Sequence, residues 1–314
     1  NPKSELFEKH PDWVIMQPGR EPYYYRNQLV LDLANPKVQD YVFSVVDNIL
    51  KENPGVAYFK WDCNSPITNI YSPYLRQNQG NLYVDYVRGL YNVLHRIAAK
   101  YPHVPMMLCS GGGARCDYEA LKYFTEFWCS DNTDPFERIY IQWSMSKFFP
   151  VKAMASHVTE WNKNTSMKFR LDVASMCKLG FDIDMASLSQ TDYKLCQQAV
   201  ANYDRLKPVI LDGDMFKLVS PYEGNHAAVN YVTKDKKSAV VFAYDLHPRY
   251  KEPVLNLKLQ GLDPTLTYNV NEINLADGQE GLSGSFTGDY LMKIGLPLFS
   301  PVDGSSRVLE LTAM

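Results

Sequence analysis

The sequence contains no apolar run that approaches the roughly 18 residues of a membrane span, and it shows no signal-peptide pattern. Like charges do not form blocks: 32 basic and 35 acidic side chains are dispersed among 314 residues, for a net charge of -3. A role on nucleic acid or at a membrane surface therefore has no electrostatic support.

Metal-binding and disulfide signatures are also missing. The six His residues include no i, i+4 pair that could hold a metal on one helix face. No C-x-x-C motif or repeated spacing occurs among the cysteines, so neither a zinc knuckle nor a disulfide framework is indicated; they are Cys63, Cys109, Cys116, Cys129, Cys177 and Cys196. We expect reduced, mostly buried thiols, which favour a cytoplasmic location, and no bound metal.

The length of 314 residues corresponds to about two domains at roughly 150 residues each. Apolar residues make up 46% and charged residues 21%, which is typical of a globular protein. Aromatic residues are abundant at 13%, and the first residue is Asn1 rather than Met, as expected of a fragment or a processed product.

Between about residues 35 and 207 the sequence alternates strand-like and helical patterns. Asn35 and Pro36 form an N-cap signature before a helical apolar spacing from Val38 to Leu50. Short apolar runs predict strands at residues 56–59, 105–108, 127–129, 152–155 and 180–184. Helices are predicted at 82–97, from about 117, from 134, at about 167–179 and through 193–203. Five β-then-α units predict a parallel sheet with helical crossovers.

After Pro208 the pattern changes to short strand candidates separated by Gly, Pro and Asp clusters. They lie at residues 216–219, 239–244, 255–260, 267–270 and 308–311. We predict domain limits of 1–208 and 209–314, the second being a small antiparallel β domain.

Two isolated carboxylates follow predicted strands. Asp62 comes after the first strand and Asp131 after the third, so both are expected at the same rim of a parallel sheet. Glycoside hydrolysis needs such a pair, one as nucleophile and one as acid/base, about 5 Å apart if configuration is retained. Trp61 and Trp128 would suit sugar faces. Alternatively, each Asp caps the following helix, although Asp134 precedes a proline and is the better cap, which frees Asp131 for chemistry.

Lys60 lies two residues before Asp62, so on a strand both side chains point to the same face. A cation there would hold Asp62 ionised and lower its pKa, which suits a nucleophile. The alternative is an ordinary strand-end lysine that extends into solvent.

A glycine run follows the second strand. Gly111, Gly112 and Gly113 lack the frame of a phosphate-binding loop, so close approach of the backbone to an uncharged ligand is the favoured interpretation. Cys109 precedes the run and is expected either as a pocket wall or as a nucleophilic thiol, the latter without a basic partner nearby in sequence.

These motifs resemble the α-galactosidases of glycoside hydrolase family 36. The resemblance lies in residues 60–64 (KWDCN), 109–115 (CSGGGAR) and 128–134 (WCSDNTD), and extends to 26–33 (RNQLVLDL) and 288–291 (GDYL). It implies a (β/α)8 TIM barrel, of which only the C-terminal strands and helices are present, followed by an antiparallel β-sandwich domain.

The resemblance also implies an activity: retaining double displacement on terminal α-linked galactose, as in melibiose and raffinose-type sugars. Asp62 matches the family's nucleophile and Asp131 its acid/base. No cofactor or metal is implied, and the full-length protein is expected to be a homo-oligomer. The residues that match positions binding or enclosing the galactose are Arg26, Lys60, Asn64, Cys109 and Gly111.

The chain departs from the family pattern at its start. The family's N-terminal β-sandwich, its first barrel strands and an Asp pair that grips the sugar have no counterpart here. Five strands in about 210 residues fall short of the eight strands and about 250 residues of a complete barrel, so we expect a fragment with an incomplete pocket that need not be active alone. Alternative functions are a non-catalytic sugar-binding or assembly protein, a transglycosidase and an α-N-acetylgalactosaminidase.

Overall fold

The structure is a computed structural model that describes residues 1–161, 164–253, 256–275 and 278–314. The chain divides into two compact units, Asn1–Trp128 and Cys129–Met314. Within the described ranges, no helix is both long enough and apolar enough to cross a membrane. The limits 1–208 and 209–314 remain a prediction, and residue 208 lies inside a helix of the second unit.

The first unit contains three parallel strands and the helices that precede and separate them. Its helices are α1 (Glu5–Lys9), α2 (Pro36–Glu52) and α3 (Leu82–Lys100), and its strands are β1 (Phe59–Asp62), β2 (Met106–Cys109) and β3 (Glu126–Trp128). β1 pairs with β2 and β2 with β3, and this register places Asp62 opposite Cys109. The Asn35 side chain accepts a hydrogen bond from the Lys37 N–H (3.0 Å), which confirms the predicted N-cap of α2.

The helix predicted from about residue 117 is wrong. Asp117 Oδ1 accepts a hydrogen bond from the Ala120 N–H (2.8 Å), and a single 3-10 turn, Ala120–Lys122, follows. Strand β3 then begins at Glu126, so residues 117–125 contain this turn in place of the predicted helix.

The second unit begins with alternating helices and parallel strands and ends with antiparallel strands. Its helices are α4 (Pro135–Met145), α5 (Met167–Ser175), α6 (Gln190–Asp212) and α7 (Gly288–Lys293). Strands β4 (Met154–Thr159) and β5 (Lys178–Asp182) are parallel. The remaining strands are β6 (Asp214–Val219), β7 (His226–Val232), β8 (Ser238–Asp245), β9 (Thr267–Ile273), β10 (Ser283–Thr287) and β11 (Ser305–Ala313).

The antiparallel strands form one sheet in the order β10-β9-β11-β8-β7-β6. Alternate residues of β8 face its two sides: Val240 and Phe242 pack in a cluster with α4, α5 and α6, whereas Val241 and Ala243 pack against residues 257–262 and 291–298. Both faces of the sheet are therefore covered by apolar side chains.

The described part of the strand predicted at residues 255–260 does not form a ladder. Leu255 lies outside the described residues, and Leu257 makes a single antiparallel bridge to Leu296. Leu257 and Leu259 are nonetheless buried, so the alternating leucines of this segment contribute to the core although the segment forms no extended strand.

A buried ionic network ties α5 to the sheet of the same unit. The Asp172 carboxylate is fully buried and accepts hydrogen bonds from Lys168 Nζ (2.5 Å), Asn274 Nδ2 (2.8 Å) and Ser306 Oγ (2.7 Å). All these contacts join side chains, so they fix α5 against the end of β9 and the start of β11.

Candidate active site

The side chains of β1 alternate between two environments. Lys60 and Asp62 are exposed, whereas Phe59 and Trp61 are half-buried, as the two-residue period of a strand requires. Lys60 Nζ lies 5.1 Å from the centroid of the Trp128 ring, a cation–π distance. Within the described residues Lys60 forms no ion pair with Asp62. Its ammonium group instead contacts the face of the Trp128 ring.

Trp128 is the last residue of β3 and is buried. The Trp128 ring is therefore largely shielded from solvent, and the Lys60 ammonium lies over it.

An open pocket of about 630 Å³ lies beside the end of β1. Four of the predicted site residues line it, namely Arg26, Trp61, Asp62 and Asn64. Further lining comes from Cys63, Ser65, Tyr86, Leu90 and Arg115, together with residues of the segment before α2. The pocket thus combines apolar walls with a few charged and amide groups, as ligand sites commonly do.

Arg26 reaches this pocket from a tight turn. Arg26 and Asn27 both have positive φ (54° and 57°), and the Gln28 N–H donates to the Tyr25 carbonyl (3.1 Å). Two successive residues of positive φ are typical of a two-residue hairpin turn. This strained backbone places Arg26 at the pocket edge.

The glycine loop contacts Asn64 directly. Asn64 Oδ1 accepts a hydrogen bond from the Gly111 N–H (2.5 Å), and the Ser110 N–H donates to the Gly112 carbonyl (2.8 Å). Gly111 and Gly112 have φ of 57° and 82°, which disfavours any residue with a Cβ. A Cβ at Gly111 would approach nothing closer than 4.0 Å, so backbone conformation, and not space, requires glycine there.

Arg115 connects the loops after β1 and β2. Its Nε donates to the Cys63 carbonyl (3.3 Å) and to Ser110 Oγ (3.0 Å), and its Nη2 donates to the Ser65 carbonyl (3.0 Å). Arg115 is the last residue of the CSGGGAR motif, but the sequence alone indicates no role for it. Its partners are mainly backbone carbonyls, which leave no residue-type pattern in a sequence.

The thiols near the site are enclosed. Cys109 is buried, and its carbonyl accepts a hydrogen bond from the Cys63 N–H (3.0 Å), which extends the β1–β2 pairing by one step. Burial raises the pKa of the neighbouring Cys63 thiol, the Asp62 carboxylate contributing in the same direction and Arg115 opposing both. The burial of Cys109 disfavours a nucleophilic thiol, and its role as a pocket wall stays a prediction, since Cys109 is not among the residues that line the pocket of about 630 Å³.

Asp131 belongs to the second unit, in the loop before α4, and is exposed. The N-cap of α4 is Asp134, whose Oδ1 accepts hydrogen bonds from the N–H groups of Phe136 (2.9 Å) and Glu137 (3.3 Å). The prediction that Asp134 caps this helix is confirmed.

A buried arginine supports the same loop. Arg138 Nη1 donates to the carbonyl of Ser130 (3.4 Å), the residue before Asp131, and Nη2 donates to the Ala155 carbonyl on β4 (2.6 Å). Burial lowers the pKa of Arg138. The loop that carries Asp131 is thereby tied to the adjoining strand of its own unit.

Two family models match the sequence. A model described as Melibiase matches residues 1–213, and a model described as the glycosyl hydrolase family 36 C-terminal domain matches residues 226–311. The chain therefore belongs to glycoside hydrolase family 36.

Named relatives agree with this assignment. Alpha-galactosidase 1 of Pediococcus pentosaceus is 35% identical over 320 residues, which cover 99% of this chain and 42% of the relative. Alpha-galactosidase AgaA of Geobacillus stearothermophilus is 36% identical over 304 residues, covering 95% of this chain and 40% of the relative. The chain thus spans about two fifths of the length of these relatives.

Solved structures give the same result. The GH36 alpha-galactosidase AgaB from Geobacillus stearothermophilus matches with a TM-score of 0.93 and 34% identity, over all of this chain and 43% of that one. A structure of AgaA from the same organism in complex with raffinose matches with a TM-score of 0.92. The predicted fold class, a TIM-barrel-like portion with parallel strands followed by an antiparallel sheet domain, is confirmed.

The described residues include no group of three or more His, Cys, Asp or Glu side chains suited to a metal ion.

Proposed function

We propose that the protein carrying this chain is a retaining α-galactosidase that removes terminal, non-reducing α-D-galactose from melibiose- and raffinose-type oligosaccharides. The observation that supports this most strongly is family membership across both matched regions. The names of the relatives and the raffinose in a neighbouring structure support the same substrate class.

The proposed chemistry is a double displacement. Asp62 attacks the anomeric carbon of galactose while Asp131 donates a proton to the departing glycosidic oxygen, which forms a covalent galactosyl-enzyme. Asp131, now ionised, takes a proton from water, and that water displaces Asp62 to release galactose with its configuration retained. Asp62 is suited to attack because it lies exposed at the end of β1, in the open pocket.

The remaining site residues are proposed to bind the sugar. Trp61 offers an aromatic ring and Asn64 an amide group to the pocket, while the glycine loop contacts Asn64 and the Trp128 ring lies under Lys60. The proposed galactose contacts are Arg26, Lys60, Trp61, Asn64, Cys109, Gly111, Gly112 and Trp128.

The assignment is tested with Asp62→Asn and Asp131→Asn in the protein that carries this chain. With an aryl α-galactoside, we expect Asp62→Asn to lower kcat by at least about 10³-fold, and Asp131→Asn to lower hydrolysis of unactivated raffinose by about 10²- to 10⁴-fold. Asp204→Asn, at an exposed carboxylate on α6, is the matched control and should keep normal activity. Near-normal turnover in either site variant would contradict the assignment.

Product analysis tests the stereochemistry and the reaction type. NMR of the first product should show α-galactose, because two displacements restore the configuration. Initial formation of β-galactose would rule out a nucleophilic Asp62. Galactosyl transfer to a second sugar in place of release to water would instead identify a transglycosidase.

A further inference from the structure

We propose that Arg115 is a positioning residue of the sugar site. Its guanidinium holds the loop that carries Asn64 against the glycine loop, and so determines where Asn64 and Gly111 meet the galactose. The inference rests on the proposed function, because it takes galactose as the ligand of these two residues.

Arg115 donates hydrogen bonds to the residues immediately before and after Asn64 in the sequence. Its acceptors are the carbonyls of Cys63 and Ser65. A guanidinium presents its donors in a rigid planar fork, so it can engage two carbonyls of one loop at a fixed separation. The backbone of Asn64 is therefore fixed at both ends by one side chain.

The same guanidinium also fixes the glycine loop. Its Nε donates to Ser110 Oγ, and that hydroxyl donates in turn to the Cys63 carbonyl (2.7 Å). Ser110 directly precedes Gly111, whose N–H donates to Asn64 Oδ1. Arg115 is thus at the centre of a closed set of hydrogen bonds that joins the loops after β1 and β2.

Arg115 also contacts an aromatic ring of helix α3. Its guanidinium carbon lies 5.7 Å from the ring centroid of Tyr86, a buried residue of α3. Burial raises the pKa of Tyr86, and Arg115 opposes that rise, so the aromatic group under the cation is a neutral phenol. This cation–π contact with a buried ring limits the rotamers that Arg115 can adopt.

Steady-state kinetics on an aryl α-galactoside test this role. We expect Arg115→Met to raise KM by about 10- to 100-fold through misplacement of Asn64. The fall in kcat should be smaller, because Asp62 lies on the β1 ladder rather than in the loop. Arg88→Met, at an arginine of α3 with a 77% exposed side chain, is the matched control and should behave as wild type.

Two further variants separate positioning from charge. Arg115→Lys should remain impaired, because an ammonium cannot span the carbonyls of Cys63 and Ser65 as the fork does. Adding Arg115→Met to Asn64→Ala should change KM by less than Arg115→Met changes it in wild type, because Arg115 acts in part through Asn64. Full recovery by lysine, or full additivity in the double variant, would overturn the inference.

Hydrogen exchange provides a readout that needs no activity. The Gly111 amide should exchange at least about 10-fold faster in Arg115→Met than in wild type or Arg88→Met, because its acceptor is released. Unchanged exchange would overturn the positioning role, even if activity fell. A wild-type protein that neither hydrolyses α-galactosides nor binds galactose would refute the proposed function, and with it the claim that Asn64 and Gly111 contact galactose. The hydrogen-exchange data would still show whether Arg115 fixes the two loops.

Discussion

Replacing Asp172 by Ala removes the centre of the buried network in the second unit. Lys168, Asn274 and Ser306 would all lose their shared acceptor, and the Lys168 side chain is only 19% exposed. Breaking a buried ion pair by removing one partner costs about 3–5 kcal/mol. At about 2–4 °C per kcal/mol for a unit of this size, we expect Tm to fall by about 6–20 °C.

The assay is thermal and urea unfolding of this chain, followed by circular dichroism. Asp204→Ala is the control, because Asp204 pairs with Lys207 and both side chains are at least half exposed; its effect should stay within about 1 kcal/mol. The double variant Asp172→Leu with Lys168→Met should recover part of the loss, since it leaves no uncompensated charge. A shift for Asp172→Ala no larger than that of the control would refute the reasoning.

Three smaller perturbations follow from other contacts. Gly180→Ala would place a Cβ 2.4 Å from the His157 ring, so we expect a loss of about 1–3 kcal/mol in urea unfolding, and a neutral result would contradict the packing. Asp134→Ala removes the α4 cap and should cost about 0.5–2 kcal/mol, with Asp134→Asn recovering most of it. Burial and the nearby Lys147 lower the pKa of Lys217 to about 8, so between pH 8 and about 10.4 the unfolded chain binds the extra proton and the contribution of this lysine to stability should rise with pH. Lys217→Met removes that contribution, so its free energy of unfolding relative to wild type, measured in urea, should become less favourable as the pH rises through this range, and a difference independent of pH would contradict the assignment.

The sequence predicted the elements whose signals are local. The Asn35 cap depends on one side chain and the proline after it, and the capping hydrogen bond is present. The cap at Asp134 was predicted in the same way and is likewise present. Helix caps can be predicted in this way because they depend only on neighbouring residues and not on the rest of the fold.

Elements defined by tertiary contacts were missed. Strand β7 (His226–Val232) was not predicted, because both faces of its sheet are covered and its side chains show no polar alternation. The helix predicted at 167–179 was too long: α5 ends at Ser175 and β5 begins at Lys178. Most residues of α5 are buried, so no amphipathic period marked its end.

The candidate site was predictable where it follows strand periodicity. Lys60 and Asp62 share a face because they are two residues apart on β1. The structure added the Lys60–Trp128 contact and the three hydrogen bonds of Arg115. These contacts depend on where separate strands and loops lie relative to one another. The spacing of residues along one strand carries no information about that.

The hydrogen bond between Asn64 and Gly111 also determines which chemical group Asn64 offers a ligand. Because Oδ1 already accepts from the Gly111 N–H, the orientation of the carboxamide is set, and the NH₂ group is the part of the side chain with hydrogens to donate. In the galactose contact proposed above, Asn64 would therefore donate to a lone pair, such as that of a sugar hydroxyl or ring oxygen, and an aspartate in its place would reverse this polarity while leaving the loop contact intact.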